Sequence, residues 1–155
     1  MTLKATTIND VIPAIVTSVS DAVSYGVYDG FPRPKPGRGT TKYLVVGAES
    51  LDDDENFTMS ANMQQEWRGL GAVAREETLS VNCVAVGIAD SIANARSNAN
   101  DILNDVKTNL AIHPTAQTYN ALIDQVTGVR SKNAYGGAMV QVEFIISVKA
   151  RIRDA

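Results

Sequence analysis

The sequence predicts an α+β fold, a mostly antiparallel β-sheet packed against two main helices, as a single domain over residues 1–155. Three observations predict it. Val140, Val142, Phe144, Ile146 and Val148 fall at every second position between Ala138 and Ile152, interleaved with Gln141, Glu143, Ser147 and Lys149. A period of two over that length, rich in β-branched residues, is a long half-buried strand. Two other stretches repeat with helical spacing instead. The third observation is size: 155 residues, 45% apolar and 20% charged, are enough for one core without disulfides or metal.

The first helix is predicted from about Asn9 to Val23, because Ile8, Val11, Ile12, Ile15, Val16, Val19 and Val23 fall on one face. Pro13 is accommodated near the helix start by taking Asn9 as the N-cap. Ser24 to Tyr28 reads as a short strand closed by an Asp29-Gly30 turn. Residues 31–41 form a protruding Pro-rich basic loop: Pro32, Pro34 and Pro36 remove amide donors, and the charges, Arg33, Lys35 and Arg38, are all positive. Tyr43 to Gly47 is a compact apolar strand, hairpin-like with the one before it. Asp52, Asp53, Asp54 and Glu55 follow as an acidic turn.

A short extended piece is predicted around Gln65 to Arg68, then a strand from about Arg75 to Val86 on the alternation Leu79, Val81, Cys83. Asp90-Ser91 caps a second helix whose buried stripe is Ile92, Ala95, Ala99, Ile102, Leu103, Val106 and Leu110. His113-Pro114 stops it. Leu122 to Val129 is a penultimate strand, with a turn near Asn133 and Gly136-Gly137 leading into the last one. A strand as long as that last one completes the domain's own sheet or pairs with another copy, because a long flat edge invites other strands.

Several chemistries are excluded. A net charge of −3 and one cysteine argue against a free-standing nucleic-acid binder, a disulfide framework and a Cys-clustered zinc site. No apolar run is long enough to span a bilayer, and the N-terminal residues lack the layout of a signal peptide, so a soluble acidic domain made inside the cell is expected. Gly69-Leu70-Gly71-Ala72-Val73-Ala74 matches the dinucleotide spacing, yet a strand follows it where a helix must begin; it reads as a glycine turn. Gly37 to Lys42 lacks phosphate-loop spacing. Asp52, Asp54 and Asn56 start a calcium-loop template that fails at Phe57 and Met63, leaving a solvated acidic turn.

His113 is the only histidine, and no nucleophile or acid stands near it in sequence. Cys83 lies on an apolar strand face and reads as a core residue. Glu76 and Glu77 are adjacent in a strand and point to opposite faces, so they cannot grip one atom. No catalytic constellation, metal set or cofactor motif remains; no catalysis and no cofactor are expected. The candidate contact residues are instead Arg33, Lys35 and Arg38 on the basic loop, Asp52, Asp53 and Asp54 on the acidic turn, and the lone tryptophan, Trp67. The basic loop is either a solvated connection or an arm stiffened by proline for insertion into a neighbour. Trp67 covers the sheet or sits at a subunit interface. The two opposite charge blocks are suited to fix the register of neighbouring subunits.

Five pieces in order resemble a bacteriophage family, the tail terminator proteins of long non-contractile-tailed phages within the head–tail joining group. They are the opening amphipathic helix; Val27-Tyr28-Asp29-Gly30 leading to the proline-rich loop; Tyr43-Leu44-Val45-Val46-Gly47; Trp67-Arg68-Gly69-Leu70-Gly71 running into Arg75-Glu76-Glu77; and a helix containing Arg96 followed by the long final strand. The resemblance implies a hexameric ring in the virion, at the head-proximal end of the tail. The ring stops tube polymerisation and meets the major tail tube protein on one side and a head-completion protein on the other. DNA passes through its lumen without specific binding. A head-completion or tail-tube protein of the same virion is the alternative. A small ligand-binding or enzymatic α+β domain is the reading from another class.

Overall fold

The structure, a computed structural model, describes residues 7–30, 40–48, 59–67, 74–110, 118–134 and 136–153. Its elements run α1 (Ile8–Ser20), β1 (Gly26–Asp29), β2 (Lys42–Val46), β3 (Ala61–Trp67), β4 (Ala74–Ala89), α2 (Ile92–Asn109), β5 (Thr118–Ala134) and β6 (Gly137–Arg153). The strands make one six-stranded sheet in the order β1-β2-β4-β6-β5, with β3 also paired to β4. The fold is the predicted α+β design, a mostly antiparallel sheet with two helices.

The centre of the sheet is the antiparallel pair β4–β6, in continuous register from Ala74 opposite Arg153 to Ala89 opposite Ala138. Alternation along both strands sorts their side chains onto two faces. Leu79, Val81, Cys83 and Ala85 of β4 and Val140, Val142, Phe144, Ile146 and Val148 of β6 share one face and form the main core. Both helices lie on it. α1 contributes Val11, Ile12, Ile15 and Val19, and α2 contributes Ala95, Ala99, Ile102 and Val106. The opposite, helix-free face carries a smaller cluster of Tyr43, Val45, Ala48, Val84, Val86 and Met139, with Tyr28 of β1 set edge-on to Tyr43 at 6.3 Å.

α2 begins as predicted: Ser91 Oγ accepts from the Asn94 amide at 3.2 Å, and Asn94 Nδ2 donates to Asp90 at 2.9 Å. Its small residues set how close it lies to the sheet. A Cβ added at Gly87 of β4 meets the Ala95 carbonyl oxygen at 2.0 Å and the Ala99 amide at 2.6 Å, so backbone meets backbone there. Side chains pin the same helix from its flank. Tyr25 Oη donates to Asp105 at 2.7 Å, and Lys42 lies 3.8 Å from Asp101 with its ammonium 5.2 Å from the Tyr25 ring centre. Burial, then the Asp105 contact, push the Tyr25 hydroxyl well above its ordinary pKa.

Three local readings change. The N-cap of α1 is Thr7, without a side-chain cap bond, so Pro13 lies inside the helix. Its ring withholds an amide from the Asn9 carbonyl, and both residues are exposed. The hairpin-like reading of β1 and β2 is also replaced: they pair in parallel, Gly26 with Tyr43 through Asp29 with Val46. The connecting residues 30–41 supply the dozen or so positions that a parallel return requires. β5 is far longer than Leu122 to Val129, 17 residues in all, because it follows β6 along most of its length through three register shifts.

Gly87→Ala should destabilise the fold by about 1–3 kcal/mol, the usual cost of overpacking a tight contact. Urea unfolding checks this: the midpoint should fall with the slope unchanged, and an unaltered midpoint would place α2 farther from β4 than the structure has it.

Candidate interaction surface

β4 shares one edge between two strands: residues 83–87 pair with β2 and residues 75–81 pair with β3. Asn82 occupies the changeover. Its carbonyl accepts from the Gly47 and Ala48 amides at 2.7 and 3.0 Å, and its amide donates to the Ser60 carbonyl at 2.9 Å. Its side-chain Nδ2 donates to the Met59 carbonyl at 3.0 Å. Gly47 turns away with φ of 85°, a conformation that suits glycine. One residue therefore holds both stems of the connection that carries Asp52, Asp53 and Asp54. The stems of the basic connection are held too, Gly30 donating to Val46 at 2.6 Å and Thr41 accepting from the Ile88 amide at 2.7 Å.

Arg33, Lys35, Arg38, Asp52, Asp53, Asp54 and Glu55 themselves lie outside the described residues, as do His113, the glycine run at 69–73 and residues 37–39 of the Gly37 to Lys42 segment. Trp67 is placed by its backbone alone, at the end of β3 opposite Arg75. The structure thus fixes where the charged loops leave the sheet, with the Gly30 and Gly47 stems side by side: a Cβ on Gly30 would sit 3.8 Å from the Gly47 oxygen.

Glu76 and Glu77 do separate onto opposite faces. Glu77 is fully buried on the helix side. Its Oε1 accepts from the Thr7 amide at 2.9 Å and the Thr7 hydroxyl at 2.7 Å, and its Oε2 accepts from Gln65 Nε2 at 2.6 Å. The carboxylate therefore ties the start of α1 to β3 and β4 across 70 positions of chain. Charged acceptors make the stronger hydrogen bonds, and these occupy the oxygens that a catalytic acid would need free. Sequence reasoning missed this role because Thr7 precedes the periodic part of α1.

Cys83 is buried, and burial pushes its thiol up to about 12, so it stays protonated and inert near neutral pH. On the helix-free face, a groove of about 440 Å³ is lined by Met59, Asn62, Asn82, Arg130, Glu143 and Ile145. Arg130 Nε lies 3.2 Å from Glu143 Oε1, an ion pair without hydrogen-bond geometry. This lining offers no activated nucleophile or acid–base pair. Among the described residues there is no group of three or more His, Cys, Asp or Glu able to hold a metal, and no helix long and apolar enough to cross a membrane.

The remaining surface is one of edges and exposed strand faces. β5 ends the sheet order and β3 pairs only with β4. Strand edges left open in this way are surfaces that other strands can join.

The sequence matches no known protein-family model and no curated protein. The fold does match a solved structure: a chain of the virion of a native gene transfer agent particle, at 10% sequence identity and a TM-score of 0.58, covering 96% of this chain and 99% of that one. At that identity the likeness is one of fold, extending over the whole of both chains.

Glu77→Ala should cost about 2 kcal/mol, since it strands the buried Thr7 donors that bonded a charged group. Thr7→Val, which removes one of those bonds, should cost about 1 kcal/mol. Paired denaturation curves check both, and a neutral Glu77→Ala would show that the network contributes nothing to stability.

Proposed function

We propose that this chain is a structural virion protein that works by assembly and makes or breaks no covalent bond. More finely, it is a tail terminator: a ring, hexameric by the resemblance, that caps the tail tube, stops its growth and receives the head-completion protein. The observation that carries this reading is the fold likeness, running essentially end to end, to a chain of a phage-like virion particle. The order of sequence pieces shared with tail terminators supports the position within the virion. The polar interior supports the absence of catalysis, since Glu77, Asn82 and Cys83 are each engaged in holding the fold.

The charged loops suit such a ring. Arg33, Lys35 and Arg38 on one connection and Asp52, Asp53 and Asp54 on another are complementary patches, as a head-to-tail ring requires, because each subunit presents two different surfaces. Trp67, at the far end of β3 from the Ser60 stem of the acidic connection, is a separate contact candidate. The acidic balance of the chain is compatible with a lumen that DNA crosses without sticking.

Negative-stain imaging of the purified protein, alone and with tail tubes, tests the reading. Closed rings, and rings seated on tube ends, are expected. Long tubes of the protein alone would move it to the tail-tube role, and monomers that ignore tube ends would overturn the terminator reading.

A further inference from the structure

A second, smaller pocket opens on the helix-free face beside the groove described above. It holds about 200 Å³ and is lined by Arg130, Ser131 and Lys132 of β5 with Met139 and Gln141 of β6. Cross-strand register sets Arg130 opposite Gln141 and Lys132 opposite Met139. These four side chains therefore share one face, two exposed cations beside a buried amide and a buried thioether.

Gln141 is the group that the fold leaves unmatched. It is only 6% exposed, and its Oε1 has no hydrogen-bond partner. Its Nε2 reaches nothing but the Met139 sulfur, at 4.0 Å, a weak acceptor. Exchanging the two ends of the amide would leave the nitrogen unmatched instead. A buried amide carbonyl without a donor is costly, and folded chains keep few of them. A donor supplied by another chain would remove that cost on assembly.

Charge indicates the kind of chain. Arg130 is paired with Glu143, so the surplus charge at the mouth of the pocket is the positive charge of Lys132. A fitting segment carries an acid for that rim and a donor for Gln141. Residues 49–58 carry both: the acids Glu49, Asp52, Asp53, Asp54 and Glu55, no cation, and the side-chain donors Ser50, Asn56 and Thr58. This connection leaves the sheet at Asn82, whereas Met139 and Gln141 lie level with Ile88 and Val86 of β4. Across the strands and along them, that separation is roughly 20 Å. Tied at both stems, the connection of the same chain extends roughly 19 Å when drawn out straight and doubled back. A second copy is under no such limit.

We propose that the acidic connection of one copy docks in the Arg130–Lys132–Gln141 pocket of the next, an acid meeting Lys132 and a donor meeting Gln141 Oε1. Two different patches meet, which is the head-to-tail contact that closes a ring. Lys132 is then a cationic partner for that connection in addition to Arg33, Lys35 and Arg38. The inference rests on the assembly reading above and names a surface through which assembly occurs.

Disulfide trapping tests the contact. Full-length Lys132→Cys and Asp53→Cys chains are mixed under mild oxidation and the linked products identified by mass; Cys83 is buried and stays out of the reaction. A mixed dimer exceeding either self-linked dimer is expected. Gln141→Leu supplies a second readout, by sedimentation and urea unfolding. Association should weaken about tenfold, while the subunit unfolds at the same or a higher urea concentration, because an unmatched buried acceptor is gone. A Gln141→Leu chain that assembles as the wild type does would overturn the role of Gln141. An internal disulfide in the double variant, with no mixed dimer from the single ones, would show the connection folded onto its own chain and overturn docking between copies. Wild-type rings with no mixed dimer overturn this contact and leave the ring standing. A wild-type chain that forms no assembly overturns the ring and the contact together.

Discussion

The continuous pairing of β4 with β6 is the constraint on which the rest depends. Over its whole length the register holds without a shift, so the alternation of both strands is locked to the same two faces. A slip by one residue would turn Leu79, Val81, Phe144 and Ile146 away from the helices and bring Glu143 and Lys149 into the core. Every other element is hung on this pair: α1 and α2 on one face, β5 on the outer side of β6, and β2 and β3 in succession along the outer side of β4.

That succession gives the molecule its character. Because β2 and β3 share one edge, the sheet has a junction at Asn82, and the chain leaves and re-enters the sheet there through the connection that carries the acidic residues. The junction also leaves β3 beside β4 with an outer edge of its own. A sheet whose centre is heavily paired and whose margins are open is rigid in the middle and able to be extended at the sides. The assembly proposed above would use that distribution of order.

What was legible in the sequence was local. β6 announced itself because period-two alternation needs only neighbours, and α2 because Ser91 caps it with an amide three positions on. The burial of Cys83 followed from its place in an alternating strand. What was not legible depended on partners far away. Nothing near Thr7 predicts a bond to Glu77, and nothing near Asn82 predicts that two strand ends meet there. The parallel pairing of β1 with β2 was hidden for the same reason, since a short strand before a long loop carries no mark of its direction. β5 was read short because Gly128 and the polar run after Val129 break its alternation, and its extension comes from β6 alongside it. Of the candidate contact residues, the structure locates the stems of both charged loops and the backbone of Trp67.

Residue-resolved hydrogen exchange on the dissociated subunit tests the central claim most directly, that a fully paired β4–β6 seam stands behind open strand edges. Amides of β4 and β6 should exchange only with global unfolding, whereas alternate amides of Val129–Ala134, those turned away from β6, should exchange as fast as exposed loop amides. Protection of those outward amides equal to that of the seam would contradict the account, because it would mean that the edge is already covered within one chain.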